Sequence, residues 1–283
     1  MKISAECIHC ILGSAIELMI RQLPEERHRQ VSGELLELAR IQDWDDTPPE
    51  LARKLYEHLI ASGGHVDSFR DAKDHSTELA LQLLPEMRRL IAAAPDEFTA
   101  VVKAVIGGNI IDCGADRSID LRQAVPRLSS VFDLELAPEK VQRFRRAFEA
   151  ARSVFYVLDN CGEAVFDRLL IERCRGAVTL GVRGGYILND ITRRELAASG
   201  LDGLPVFDTG TRTPGVSLRN SNPEFLNAMR GADLVIAKGQ GNFETLSDFD
   251  RPIAHLLRIK CPVVSRNLAM PAGALELVVR NCD

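Results

Sequence analysis

The sequence predicts an α/β fold, with a helical N-terminal region (residues 1–150) packed on a mostly parallel sheet domain (residues 151–283). Two observations carry that expectation. From Val154 onward, short apolar runs alternate with helical stretches, the runs being 154–158, 177–182, 204–207, 233–237, 261–264 and 275–279. Such alternation marks strands joined by crossover helices, which leaves neighbouring strands parallel. Before residue 150, by contrast, apolar residues recur at helical spacing. No internal repeat, low-complexity segment or long linker separates the halves, so they are expected to pack directly on each other.

The helical half can be read in order. Cys7, Ile8, Ile11, Leu12, Ala15, Ile16 and Met19 form one face of a first helix. Leu35, Leu36, Leu38 and Ala39 mark a second, after the charged turn 24–27. Thr47 is placed to cap a third, with Pro48 at its first position and Gly63-Gly64 beyond its end. Phe69, Ala72, Leu79, Leu83, Met87 and Leu90 trace a long helix in which Pro85 predicts a kink. Pro95 and Asp96 open another, and Gly107-Gly108 stops it as a glycine cap would. A charged amphipathic helix from Pro138 to Arg152 leads into the first strand.

Composition excludes several classes. The chain is 46% hydrophobic, enough for an ordinary globular core. Its net charge is −5 and it has no basic stripe with interleaved aromatics, which argues against nucleic-acid binding. No apolar run approaches the length of a bilayer span, so no membrane partner is expected. Glu6, His9 and Glu17 interrupt the N-terminal apolar stretch, which therefore does not read as a signal peptide. Seven scattered cysteines argue against a disulfide framework and for a reducing, cytoplasmic setting.

The chemistry concentrates at the strand ends. In parallel sheets, ligands sit just beyond the carboxyl ends of the strands. Asp159 and Asn160 follow the first run there, and Asn189 and Asp190 close the segment after the second. Two acids and two carboxamides around one crevice offer the hard oxygen donors that Mg²⁺ or Mn²⁺ takes. The competing reading is helix capping, since Asp and Asn are common N-caps and Glu163 and Glu195 sit where first helical turns begin. A third strand, 233–237, runs into Lys238-Gly239-Gln240-Gly241-Asn242. Exposed N–H groups beside a lysine make an anion cradle, although a tight turn explains the glycines equally well. No Walker spacing follows, and Glu244 stands where a dinucleotide fingerprint has its third glycine. Asn109 and Asp112 are expected to line the cleft between the halves. Cys7 and Cys10 share a helix face, lack the second pair that zinc needs, and read as two buried thiols.

Taken together these motifs resemble the DUF89 family, the damage-control phosphatase or acidic-residue-methyltransferase-like family, in its CxxC-bearing prokaryotic branch. The match rests on Cys7-x-x-Cys10, 108–112, Asp159-Asn160-x-Gly162-Glu163 with Asp167, Asn189-Asp190-x-Thr192, 238–244 and Lys260-Cys261-Pro262, which span nearly the whole chain. The resemblance implies a Rossmann-like α/β domain and a phosphatase of small phosphorylated metabolites that depends on Mn²⁺, Co²⁺, Ni²⁺ or Mg²⁺. It implies Asp159, Asn160 and Asp190 as metal ligands and Lys238 as the phosphate holder, with Asn109, Glu163 and Asn242 nearby. Asn189 is expected to join them from its place beside Asp190. Where such chains show Asp-Pro-Tyr/Phe-x-x-x-Lys followed by Asn, this one has Ser68 and Thr77.

The mechanism expected is hydrolysis by metal-activated water, with Asp159 and Lys238 as the central catalytic pair. Haloacid-dehalogenase phosphatases attack with a strand-end Asp and use a second Asp two residues on. Here that second position is Cys161, which counts against a covalent route. Rival readings are a non-catalytic nucleotide binder, a carboxyl methyltransferase, and a metal-storage or redox protein built on Cys7 and Cys10. The physiological substrate and the oligomeric state are not legible at this level.

Overall fold

The computed structural model describes residues 1–108 and 121–282. Helices α1 (Ala5–Gln22), α2 (Glu25–Arg40) and α3 (Pro48–Ala61) come first. Their apolar faces close on Ala15, Met19, Val31, Leu35, Leu51 and Leu55, a small core of their own. Thr47 precedes α3 as expected but makes no capping bond, and its hydroxyl is buried without a partner. Then come α4 (Arg70–Ala92), α5 (Glu97–Gly107), α6 (Leu121–Ser129) and α7 (Pro138–Ala150). Helix α4 continues through Pro85 for two more turns. Asp96 caps α5 by accepting from the Thr99 N–H. Gly108, however, keeps a right-handed φ of −52°, so α5 does not end in a left-handed glycine cap. A Cβ at Gly107 would run into Val131, so close packing is what demands glycine there.

The sheet contains β1 (Ser153–Val157), β2 (Ala177–Val182), β3 (Val206–Asp208), β4 (Leu234–Lys238), β5 (Ile253–Arg258) and β6 (Leu275–Arg280). Their order is β3-β2-β1-β4-β5-β6, all parallel except the antiparallel β6. The fold is therefore α/β with a mostly parallel sheet. Helices α8 (Glu163–Ile171), α9 (Pro223–Gly231), α10 (Gly239–Leu246) and α11 (Pro262–Leu268) connect the strands.

Side chains on β1 alternate between two cores, as period two requires. Val154 and Tyr156 point into a core shared with α4, α5, α7 and α8. Phe155 and Val157 point the other way, towards Phe225 and Met229 of α9. Residue 150 marks a change from helices to strands, and residues on both sides of it build one continuous apolar core.

One expectation about the sheet fails, and one strand is hidden in the sequence. The run at 261–264 is not a strand. The Cys261 sulfur accepts the Val264 N–H and Pro262 takes the first helical position, so the segment starts α11. The strand that belongs here is β5, whose sequence Ile-Ala-His-Leu-Leu-Arg hides its period behind a buried histidine. Among the described residues, no helix is long and apolar enough to cross a membrane.

That histidine, His255, is fully buried against Phe243, with ring centroids 5.3 Å apart, and neither nitrogen has a partner. Burial, assisted by Arg280, pushes its pKa down from 6.5 to about 3. The fold therefore binds fewer protons than the unfolded chain between those values. The neutral ring's contribution is intact above pH 6.5 and drains away as the pH falls towards 3. His255→Leu is expected to be near neutral at pH 7.5 and more stable than wild type by on the order of 2–4 kcal/mol at pH 4. Urea unfolding at the two pH values checks this, and a gap that does not widen in acid contradicts it.

Candidate active site

The strand order reverses between β1 and β4, the place where open α/β sheets leave a crevice. Asp159 and Asn160 lie just past the end of β1, and Asn189 and Asp190 sit in the segment after β2. Two backbone hydrogen bonds bind these segments together. Ile191 N donates to Asp159 O at 2.8 Å, and Cys161 N donates to Asn189 O at 3.0 Å. Asn160 and Asp190 are thereby paired as an antiparallel bridge. Leu188, just before them, holds a left-handed φ of 46°. That costs a residue with a Cβ about 1–2 kcal/mol and is a form of strain that gathers at functional sites.

Neither polar pair is spent on capping. The N-cap of α8 is Gly162. The short turn Arg193–Glu195 is capped by Thr192, in a reciprocal box with the Glu195 carboxylate. The capping alternative therefore falls at both places.

A cleft of about 410 Å³ opens over these residues. Asp159, Asn160, Glu163, Asn189, Asp190, Gly239, Gly241 and Lys260 line its polar side. The opposite wall is mostly apolar, built by Cys7, Cys10 and Ile11 of α1, Pro48, Pro49 and Ala52 of α3, and Cys261 to Val263 at the start of α11. Cys7 is buried as expected, whereas Cys10 is exposed at the cleft wall.

The glycine-rich stretch after β4 is not a loop. It is the first turn of α10, entered through Gly239 at φ +78°. A Cβ at that position would fall on the Asp159 carboxylate, so only glycine lets α10 start against the end of β1. First-turn N–H groups lack helical acceptors and carry the positive end of the helix dipole, which suits an anion.

Lys238, expected to hold the phosphate, lies at the end of β4. Its side chain is fully buried and does not line the cleft. Its ammonium bonds Val105 O at 3.0 Å, Asp167 Oδ1 at 2.8 Å and the Glu163 carboxylate. Burial alone would lower its pKa, but those two carboxylates more than reverse this and raise it. Asp167, pushed up to about 6 by burial against the pull of Lys238, also accepts from the Tyr156 hydroxyl at 2.8 Å. Asn242 is likewise beneath the floor, its Nδ2 donating to Lys238 O at 2.7 Å and Leu158 O at 3.3 Å. It ties the ends of β1 and β4 together. Asn109 and Asp112 lie outside the described residues.

Two residues not singled out as site candidates from the sequence join the cluster. Arg183, the first residue past β2, is buried and bonds both Asp190 and Asp159. Lys260 lines the cleft from the turn before α11. Both occupy strand-end positions; that rule would have found Arg183, which follows the run 177–182, but not Lys260, because β5 is hidden in the sequence.

Among the described residues, four buried carboxylates of this cluster, Asp159, Glu163, Asp167 and Asp190, meet two buried cations, Arg183 and Lys238. Burial, followed by the carboxylates of Asp190 and Glu163, holds Asp159 well above the usual carboxylate range, while Arg183 and Lys260 act in the opposite sense. A site that favours a proton for this reason will also favour a cation. Among the described residues, no three His, Cys, Asp or Glu side chains are set to hold a metal on their own. A donor set of Asp159, Asp190 and the Asn160 amide oxygen meets both constraints, because the amide adds a ligand without adding charge. Asn160 spends its Nδ2 on Asp159 Oδ2 at 3.0 Å and Glu163 Oε2 at 3.5 Å. The residues present thus fit a hard divalent ion.

The model of the damage-control phosphatase ARMT1-like domain matches residues 3–275. The chain belongs to this family. It is 34% identical to the damage-control phosphatase PH1575 of Pyrococcus horikoshii, over 97% of both chains. It is 29% identical to a damage-control phosphatase of Archaeoglobus fulgidus, over 96% of this chain and 97% of that one. The crystal structure of the Pyrococcus horikoshii DUF89 protein superposes with a TM-score of 0.88 at 30% identity, covering 99% of each chain. Membership in the damage-control phosphatase family makes the protein an enzyme of the phosphatase class. Ser68 lies in the turn before α4 and Thr77 within it, and the helix docks through Lys73. That buried side chain lies 3.4 Å from Asp67, 3.8 Å from Glu195 and 4.8 Å from the Tyr186 ring centroid.

Proposed function

We propose that the protein is a metal-dependent phosphatase that hydrolyses phosphate monoesters of small metabolites, such as sugar phosphates or damaged phosphometabolites. Asp159, Asn160 and Asp190 hold the ion, with Mn²⁺, Co²⁺, Ni²⁺ or Mg²⁺ as candidates. One observation carries this reading. Among the described residues, the cleft is lined by the carboxylates of Asp159, Glu163 and Asp190, yet it is flanked by anion-binding groups: the start of α10 and Lys260. A phosphate ester would be repelled by such a lining unless a cation stood between them.

A divalent ion bound there would polarise a phosphoryl oxygen and lower the pKa of a nearby water. The chain supplies the rest. N–H groups of Gly239, Gln240 and Gly241 and the Lys260 ammonium offset charge on the phosphoryl oxygens, each fixed donor being worth about 3 kcal/mol. Glu163, anchored from behind by Lys238, is placed to orient a water or accept its proton. Asn189 contributes an amide at the rim, where substrate hydroxyls can bind it. Lys238 and Asn242 act from below by holding Glu163 and the strand ends.

Water is the nucleophile in this scheme. The position two residues after Asp159 is Cys161, whose thiol is sunk in the apolar core and held above its usual pKa by burial. It cannot hand a proton to a leaving group in the cleft. Free cysteines at positions 7, 10, 161, 174, 261 and 282 support a reducing, cytoplasmic setting.

A panel of phosphate esters assayed against divalent ions, with chelated protein as control, tests the proposal. Turnover that appears with Mn²⁺, Co²⁺, Ni²⁺ or Mg²⁺ and disappears on chelation is expected. Full turnover in chelator refutes metal dependence. Lys260→Met is expected to lower kcat/KM by about 10²-fold, chiefly through KM, while sparing ion binding. Steady-state kinetics beside manganese titration decides it, and unchanged kinetics removes Lys260 from the site.

A further inference from the structure

Arg183 has the largest of the fully buried side chains and lies against the proposed ion ligands. Its backbone is fixed first: Arg183 N donates to Ile191 O at 3.0 Å, and the residue bridges to Thr192. Its guanidinium then reaches back. Nε donates to Asp190 Oδ2 at 2.6 Å and Nη2 to Asp159 Oδ1 at 3.3 Å. Nη1 is buried without a partner among the described residues. A buried guanidinium with an unmade bond is costly, so the two bonds that are made have to justify it.

We infer that Arg183 is a positioning residue that sets which divalent ion the cleft accepts, by holding one oxygen of each aspartate and so restricting both to single-oxygen ligation. The inference rests on the reading of Asp159, Asn160 and Asp190 as ligands. An oxygen held at 2.6 Å by a charged donor is turned towards that donor and away from an ion on the other side. The guanidinium is planar and rigid, so one group fixes the rotation of two carboxylates at once. Calcium fills six to eight places and often does so with bidentate carboxylates, whereas small ions take six ligands in a strict octahedron and keep waters. Asp190 is pinned by one oxygen at 2.6 Å, and Asp159 is held by Arg183 on Oδ1 at 3.3 Å and by Asn160 on Oδ2 at 3.0 Å, so neither is disposed to a bidentate grip and the small ions are favoured. A lysine at this position keeps the charge but has no fork, and can hold one carboxylate only.

The test is calorimetric titration of the chelated full-length protein with MnCl₂ and, separately, CaCl₂, for wild type, Arg183→Lys and Arg183→Gln, with thermal melts as a folding control. Wild type is expected to bind Mn²⁺ much more tightly than Ca²⁺, and both variants to narrow that ratio by roughly tenfold or more as calcium gains bidentate ligation. A role confined to stability would weaken both ions together and leave the ratio unmoved, which overturns the inference. Equal affinity of wild type for the two ions overturns it even if neither variant folds. If wild type binds neither ion, the ligand assignment itself fails, and the inference falls with it.

Discussion

Asp159→Asn is expected to abolish divalent-ion binding and lower kcat/KM by about 10³-fold or more, the scale of losing several kcal/mol of charge stabilisation in the transition state. The substitution keeps the side chain's shape, so the loss will report charge rather than packing. A second effect has the opposite sign. Burial, Asp190 and Glu163 hold the Asp159 carboxyl well above its usual range, so the native state favours its proton. Such a group contributes its stability below the unfolded pKa and loses it as the pH rises. At neutral pH, above the unfolded pKa, the raised carboxyl of Asp159 therefore destabilises the ion-free fold, and Asn should relieve it. In chelator at pH 7.5 the variant should melt above wild type, with the gap closing towards acid. Activity within tenfold of wild type would remove Asp159 from the site.

Lys238→Met is expected to destabilise the protein by about 3–5 kcal/mol at pH 7.5, because it leaves Asp167 and Glu163 buried beside one another without their shared cation. Asp167, already pushed up to about 6, would then rise further and take a proton near neutrality. The deficit should shrink at pH 5, since protonation removes the unpaired charge. Urea unfolding at both values measures it, and Asp167→Asn added to the variant should recover part of the loss. This outcome separates two roles for the residue. A lysine holding phosphate directly would raise KM with little change in stability, whereas one holding Glu163 from beneath would lower stability first and kcat as Glu163 loses its position.

Much of this arrangement was legible in the amino-acid order. Buried parallel strands are continuous apolar runs, and β1, β2 and β4 stand out for that reason. Polar residues directly after such a run have few reasons to be there, which singles out Asp159 and Asn160, while Asn189-Asp190 repeats the pattern at the end of the segment that follows β2. What was hidden shares one cause: it depends on which side of an element a residue faces. His255 interrupts the β5 run, yet it is buried as deeply as its apolar neighbours. Cys261-Pro262-Val263-Val264 has strand composition, but a sulfur-capped turn makes it helical. Lys238 and Lys260 both follow strands, and only the packing of α5 and α8 over the first shows that Lys238 points inward while Lys260 lines the cleft. Arg183 was passed over because a search for ion ligands looks for oxygen atoms, not for the cation that orients them.

The account stands on one ion held where the ends of β1 and β2 meet. Diffraction from crystals soaked in manganese, recorded at the manganese absorption edge, tests this directly. It should show one strong anomalous peak within about 2.0–2.4 Å of oxygens from Asp159, Asn160 and Asp190. A map with no peak there, or with its peak on other residues, would contradict it.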